Sequence, residues 1–343
     1  MQKLIISITF ILFLNSCGKT NTVVYEYIDN NKTQETIVRS DDSNKSNEQN
    51  STVEQNTTVE ILPNKQIFLI GDSTVAILKD YNNTYNGKVY ETSKVGWGHK
   101  FGSYMVNNEN FHNVAEGGAS SRSYKWIDGN SNHWGKTKQL ITLNSHKNND
   151  TYLLICLGLN DIGRGETESL KKIDAEDNNT KSTMPGTKNT FYRELKAYIT
   201  YSKLNHITPV LLTPVQSLNK DKYNVKYKTD MRDVFKRDYG DYAQTIRDLA
   251  KDENILLLDL SKKSYDVFNA YTDPKKLLND FSGGYDEDSF DGNMEPERDR
   301  VHLSGDGANK VASWVVELAC ESSDKVLCAQ FIDMESKETN SSH

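Results

Sequence analysis

The chain has 343 residues, with 48 Asp and Glu against 41 Lys and Arg, a net charge of −7 and four Cys. That length holds one large or two small domains with ample room for a core, while the acidic balance and the lack of a basic run exclude an unaided grip on nucleic acid. A hydrophobic share of 36% and a mean hydropathy of −0.69 are low for a wholly globular chain, so part of the length lies outside any core.

Residues 1–17 carry one positive charge at Lys3, an apolar run over 4–14, and the ending Leu14-Asn15-Ser16-Cys17. An apolar core this short reads as an export signal rather than a membrane span, which needs about 20 apolar residues. The ending resembles the lipobox of bacterial lipoproteins, which implies lipidation at Cys17 and an exported protein anchored to a bacterial membrane, on its periplasmic face or at the cell surface. Cleavage by an ordinary signal peptidase is the alternative. Residues 18–63 are rich in Asn, Thr, Ser, Gln and Glu, too polar to offset chain entropy by burial. They are expected to form a disordered linker, with a short strand around 22–28 as the alternative. Residues 332–343 read as a disordered tail. The folded unit is expected over 64–331, as a single domain.

Inside that window, apolar runs stop at glycines, prolines or acids. Ile67-Phe68-Leu69-Ile70 ends at Gly71, and Tyr152-Leu153-Leu154-Ile155-Cys156-Leu157 ends at Gly158. Pro209-Val210-Leu211-Leu212-Thr213 is closed by Pro214, and Ile255-Leu256-Leu257-Leu258 ends at Asp259. Strands buried on both faces belong to a parallel sheet covered by helices. Residues 187–205 space Phe191, Leu195, Tyr198, Ile199 and Leu204 at helical intervals, 239–252 do so with Tyr242, Ile246 and Leu249, and 311–319 supply a last helix. The expected fold is doubly wound three-layer α/β/α with a central parallel sheet, whose ligands sit at the carboxyl ends of the strands.

The unusual residues fall at those ends. Gly71-Asp72-Ser73-Thr74-Val75 places a hydroxyl at a strand-to-helix turn. Ser73 there reads equally as a helix N-cap or as a nucleophile. The Gly117-Gly118 pair could be only a turn, and Asn160 in Gly158-Leu159-Asn160-Asp161 either a turn residue or a donor aimed into a site. Asp299-Arg300-Val301-His302 sets an acid and an imidazole close enough to meet, which is what a hydroxyl nucleophile needs from a base and its orienting partner.

Together these segments resemble the SGNH (GDSL-type) hydrolase superfamily: Gly71-Asp72-Ser73 matches its first block, Gly118 its second, Gly158-x-Asn160-Asp161 its third and Asp299-x-x-His302 its fifth. Gly-Asp-Ser-Thr-Val, Gly96-Trp97-Gly98, the stretch 118–124, Gly186-Thr187, Thr213-Pro214-Val215 and His302-Leu303-Ser304 are similar to the rhamnogalacturonan acetylesterase-like branch, carbohydrate esterase family 12. Ala119 stands where that branch commonly has Arg, and Leu159 where it commonly has His. The resemblance implies a flavodoxin-like fold and a serine esterase. Ser73 would attack, His302 would act as base and Asp299 would orient it, with the Ser73 and Gly118 N–H groups and the Asn160 amide as oxyanion hole. It further implies removal of acetyl groups from plant cell-wall polysaccharide, rhamnogalacturonan or xylan, without a cofactor.

Trp97, Arg122 and Tyr124 are candidate substrate contacts, because aromatic faces stack on pyranose rings and an Arg can meet a uronate. Trp126 and Trp134 are further aromatic candidates in the same stretch. Cys320 and Cys328 are candidates for a disulfide in an oxidising compartment. No Gly-x-Ser-x-Gly elbow occurs, no His cluster has zinc spacing, and the acids Asp286, Asp288, Asp291 and Glu295 miss the EF-hand pattern, so no metal is expected. Competing readings are an SGNH lipase, thioesterase or acyltransferase, and a catalytically silent glycan-binding lipoprotein.

Overall fold

The structure is a computed structural model describing residues 21–28, 32–39, 65–76, 78–125, 127–128, 131–145, 150–161, 183, 186–218, 242–286 and 296–332. The chain divides into two units, Met1–Pro63 and Asn64–His343. In the first, β1 (Asn21–Ile28) and β2 (Lys32–Arg39) form an antiparallel hairpin registered from Asn21 opposite Arg39 to Ile28 opposite Lys32. β1 falls where the sequence left a short strand open, at 22–28, and β2 is the element that reading did not contain. Valine, isoleucine, threonine and tyrosine are concentrated in these two segments, types that favour strands. Cys17 lies outside the described residues.

The second unit is built on β3 (Gln66–Gly71), whose residues are almost all buried. A hairpin follows, β4 (Leu78–Tyr85) and β5 (Lys88–Val95). Its turn is Asn86-Gly87, both at positive φ (49° and 76°), the pairing a tight hairpin requires. Then come β6 (Phe111–Asn113), a two-residue ladder of β7 (Ile127–Asp128) with β8 (Ser131–Asn132), β9 (Thr151–Cys156), β10 (Thr208–Leu212) and β11 (Leu256–Leu258). Five strands form one parallel sheet in the order β11-β10-β9-β3-β6. After β3 the chain moves outward to β6, then crosses back to β9 on the other side. The strand order thus reverses between β3 and β9, and the crevice beyond their carboxyl ends is where doubly wound sheets bind ligands. Gly71 pairs with Cys156 at that edge.

Alternate residues along the strands feed two cores. Ile67, Leu69, Leu154, Val210 and Leu212 face one cluster; Phe68, Ile70, Leu153, Ile155 and Leu211 face the other. The helices are α1 (Ser73–Ala76), α2 (Trp97–Phe101), α3 (His133–Asn144), α4 (Thr190–Leu204), α5 (Tyr242–Glu253), α6 (Leu260–Ala270), α7 (Pro274–Phe281), α8 (Gly305–Glu321) and α9 (Lys325–Cys328). The first cluster takes α2, α6, α7 and α8, and the second takes α3, α4 and α5. The result is the expected three-layer α/β/α domain. In α8, Val311, Ala312, Val315, Val316 and Ala319 recur at helical spacing on the buried side, and Ser304 caps the start by accepting from Gly307 N–H. Cys320 and Cys328 are joined in a disulfide that ties the end of α8 to α9.

Candidate active site

Ser73 stands one residue beyond the end of β3, after Asp72, and opens α1. Both the capping and the nucleophile readings suited the sequence, and the hydrogen bonds separate them. The carboxylate of Asp72 accepts from Thr74 N–H (2.9 Å) and Thr74 Oγ1 (2.8 Å), and its carbonyl accepts from Val75 and Ala76. Asp72 is the cap. Burial raises its carboxyl above the ordinary range against the pull of those Thr74 bonds. The Ser73 hydroxyl is left to donate to His302 Nε2 at 3.0 Å.

His302 completes a relay with Asp299. Its Nδ1–H donates to Asp299 Oδ2 at 2.8 Å, while Asp299 Oδ1 accepts the backbone N–H groups of Val301 (2.8 Å) and His302 (2.9 Å). The carboxylate therefore caps the turn that carries the imidazole, and ring orientation is fixed by the same group that selects its tautomer. Burial alone would push the Asp299 carboxyl up; His302 and a buried lysine, Lys94, outweigh it and hold the group well below the usual carboxylate range.

Sequence reasoning missed Lys94. It projects from β5, is 3% exposed, and sets Nζ 2.7 Å from Asp299 Oδ2. The hairpin docks on the loop carrying the acid and the imidazole: Ser93 N–H donates to Gly283 O, Val95 N–H to Leu303 O, Tyr285 N–H to Thr92 Oγ1, and Tyr81 hydroxyl to Tyr285 O. Asn86-Gly87 between residues rich in Tyr, Thr and Val was the available signal for this element.

The other wall comes from the loops after β6 and β9. Val114 N–H donates to Leu69 O and Glu116 N–H to Gly71 O, which carries the chain past β6 to the end of β3 and sets Gly118 there at φ +73°, a conformation that favours glycine. Asn160 lies on the short turn Leu159–Asp161, and its amide donates to Ala119 O at 3.1 Å, against the Gly118 loop, leaving a second N–H on the same nitrogen. Asp161 locks the two loops together. Fully buried, it accepts from Ser121 N–H (2.8 Å), Ser121 Oγ (2.5 Å) and Thr183 Oγ1 (2.7 Å). Burial drives its carboxyl up to about 7 against those hydrogen bonds.

The family model of the GDSL-like lipase/acylhydrolase matches residues 67–315, which spans β3 through most of α8 and every segment just described. The chain belongs to that family. This GDSL acylhydrolase, a carboxylic-ester hydrolase, is 25% identical over 251 residues to a probable rhamnogalacturonan acetylesterase, YesY, of Bacillus subtilis (strain 168), covering 73% of the chain and 90% of the relative. It is 26% identical over 254 residues to the rhamnogalacturonan acetylesterase RhgT of the same organism, covering 74% and 88%. These relatives fall in the branch that the sequence motifs resemble. Among solved structures, the YxiM protein of Bacillus subtilis aligns with TM-score 0.49 at 20% identity, covering 78% of this chain and 59% of that one.

The proposed sugar contacts of the GDSL acylhydrolase need correction. Trp97 is fully buried in the first core, edge-on to Phe101 at 5.7 Å. Tyr124 is equally buried, its hydroxyl donating to Val114 O and paired with Thr137 Oγ1. Trp134 packs edge-on to Tyr198 in the second core. Arg122 is 3% exposed and its Nε donates to Glu194 Oε1 at 3.2 Å. None of these side chains offers a face to solvent. Aromatic residues near a catalytic motif are equally suited to pack under it, and here packing claims them. Trp126, Asp288, Asp291 and Glu295 lie outside the described residues.

Proposed function

We propose that the esterase removes acetyl groups from plant cell-wall polysaccharide through Ser73, His302 and Asp299. The observation that carries the reading is the unbroken chain of hydrogen bonds from Ser73 Oγ to His302 to Asp299, at 3.0 and 2.8 Å. His302 Nε2 takes the serine proton as Oγ attacks the ester carbonyl, and Asp299 stabilises the imidazolium that forms. The Ser73 and Gly118 N–H groups and the Asn160 amide receive the oxyanion. His302 then returns its proton to the departing sugar hydroxyl, and water, deprotonated by the same imidazole, releases acetate and regenerates Ser73.

Acetylated polysaccharide as substrate is supported by the two rhamnogalacturonan acetylesterases among the relatives. The net charge of −7 works against long-range attraction of a polyanionic pectin and favours a neutral acetylated xylan as competitor. Export with a lipid anchor at Cys17 would put the enzyme where such polymers are met. Acetate release from acetylated rhamnogalacturonan, acetylated xylan and p-nitrophenyl acetate tests the reading. The expected result is turnover of a polysaccharide that Ser73→Ala abolishes. Turnover only of longer acyl esters would support a lipase or thioesterase. Glycan binding without turnover would support the binding protein.

A further inference from the structure

The machinery proposed above uses Asp299, His302 and Ser73, yet the structure puts a fourth ionisable side chain on the same carboxylate. Lys94 Nζ lies 2.7 Å from Asp299 Oδ2, the oxygen that also receives His302 Nδ1. The pair is buried, with side-chain exposures of 4% and 9%, so water screens it little. Burial would lower the ammonium, but Asp299 outweighs that penalty and keeps it protonated. The hairpin has an exposed rim, with Leu78 and Val89 64% and 57% accessible, while Tyr90, Thr92, Lys94 and Val95 of β5 are buried. A lysine that only pinned the hairpin could do so from its rim, whereas this one is sunk to the triad acid. Backbone bonds from Ser93 and Val95 to the loop already hold the hairpin in place.

We infer that Lys94 is a positioning residue that sets the charge His302 feels from Asp299, and with it the pH range over which the esterase works. This rests on the triad reading of the preceding subsection. Among the described residues, the charged groups around His302 are Asp299 on its own loop, Asp72 at the end of β3, whose field reaches it, and Lys94 from β5 acting through Asp299. Arg298 and Arg300 belong to the same loop; Arg298 is turned to the Leu278 and Ser282 carbonyls. From β4 the Tyr81 ring stands 5.6 Å from the ammonium. With Lys94 present, Asp299 stays ionised while a cation offsets part of its charge. It can fix the ring and stabilise the transient imidazolium while Lys94 shares its oxygen with the imidazole. Remove the cation and the full carboxylate charge falls on the imidazole, which then keeps its proton to higher pH and cannot accept one from Ser73.

The test is the pH dependence of kcat/KM for p-nitrophenyl acetate in the full chain carrying Lys94→Met, Lys94→Gln or Lys94→Arg, with folding checked by circular dichroism. A neutral replacement should move the acid limb upward by about one pH unit, costing roughly ten-fold in rate at a pH on that limb. Lys94→Arg, which keeps the charge, should restore the wild-type limb. A folded neutral variant whose acid limb superposes on the wild type overturns the inference, as does an Arg variant shifted as far as the Met variant. If neither neutral variant folds, Lys94 is a structural cross-link and the inference also fails. Ser73→Ala separates this from the triad itself: retained turnover there removes the triad reading, whereas an inactive Ser73→Ala beside an unmoved Lys94→Met limb removes only the role of Lys94.

Discussion

Two buried carboxylates, one on each wall of the crevice, show how surroundings divide the work of a single residue type. Asp299 is met by an imidazole, an ammonium and backbone N–H groups, and is held well below the ordinary range. Asp161 is met, among the described residues, by neutral donors from Ser121 and Thr183, and burial pushes it up to about 7. The Lys94 ammonium and the N–H donors keep the first ionised where charge is useful. Hydroxyls and an amide make the second a clamp between the loops bearing Gly118 and Asn160.

The sharpest way to break this comparison is to neutralise the charged wall. Asp299→Asn should lower kcat about 10⁴-fold, because the amide no longer fixes the productive imidazole tautomer; steady-state kinetics would read it. A loss below ten-fold would remove Asp299 from the relay. On the opposite wall, Asn160→Ala should cost 10²–10³ in kcat, the usual order for one oxyanion donor, with little change in KM. Asp161→Ala should act first on stability, by about 1–3 kcal/mol, since the buried Ser121 N–H loses its acceptor. Urea unfolding measures this.

The pH dependence of stability separates the two acids by sign. Asp161 has a folded value raised above its unfolded one, so its contribution is full below about pH 4 and is lost as pH rises through about 7. Asp299 has a lowered value, so its contribution is present above about pH 4 and lost only as pH falls below that. Wild-type stability between about pH 4 and 7 should therefore fall more steeply than that of Asp161→Ala. Parallel wild-type and Asp161→Ala curves would mean that Asp161 titrates normally.

Much of the charged relay and the sheet was legible in the sequence, and the reasons are local. β3, β9 and β10 are continuous apolar runs ended by Gly or Pro, and α8 repeats Val and Ala at helical intervals. Asp299 and His302 lie on one turn, so their meeting needs no tertiary knowledge. The hairpin β4–β5 escaped because its residues are polar and mostly exposed, with no apolar alternation beyond its turn signal. Lys94 escaped with it: only the docking of that hairpin on a loop far along the chain gives the residue its partner. Trp97 and Tyr124 misled for the opposite reason, since composition cannot tell an aromatic that lines a cleft from one that fills the core beneath it.

The central claim is that Ser73 is the nucleophile of this esterase. Incubation with an organophosphonate ester followed by peptide mass spectrometry tests it most directly, because the adduct marks the attacking oxygen. The account predicts a single adduct on Ser73, accompanied by loss of acetate release, and formed far more slowly in His302→Ala. An adduct on another residue, or full inactivation with Ser73 unmodified, would contradict it.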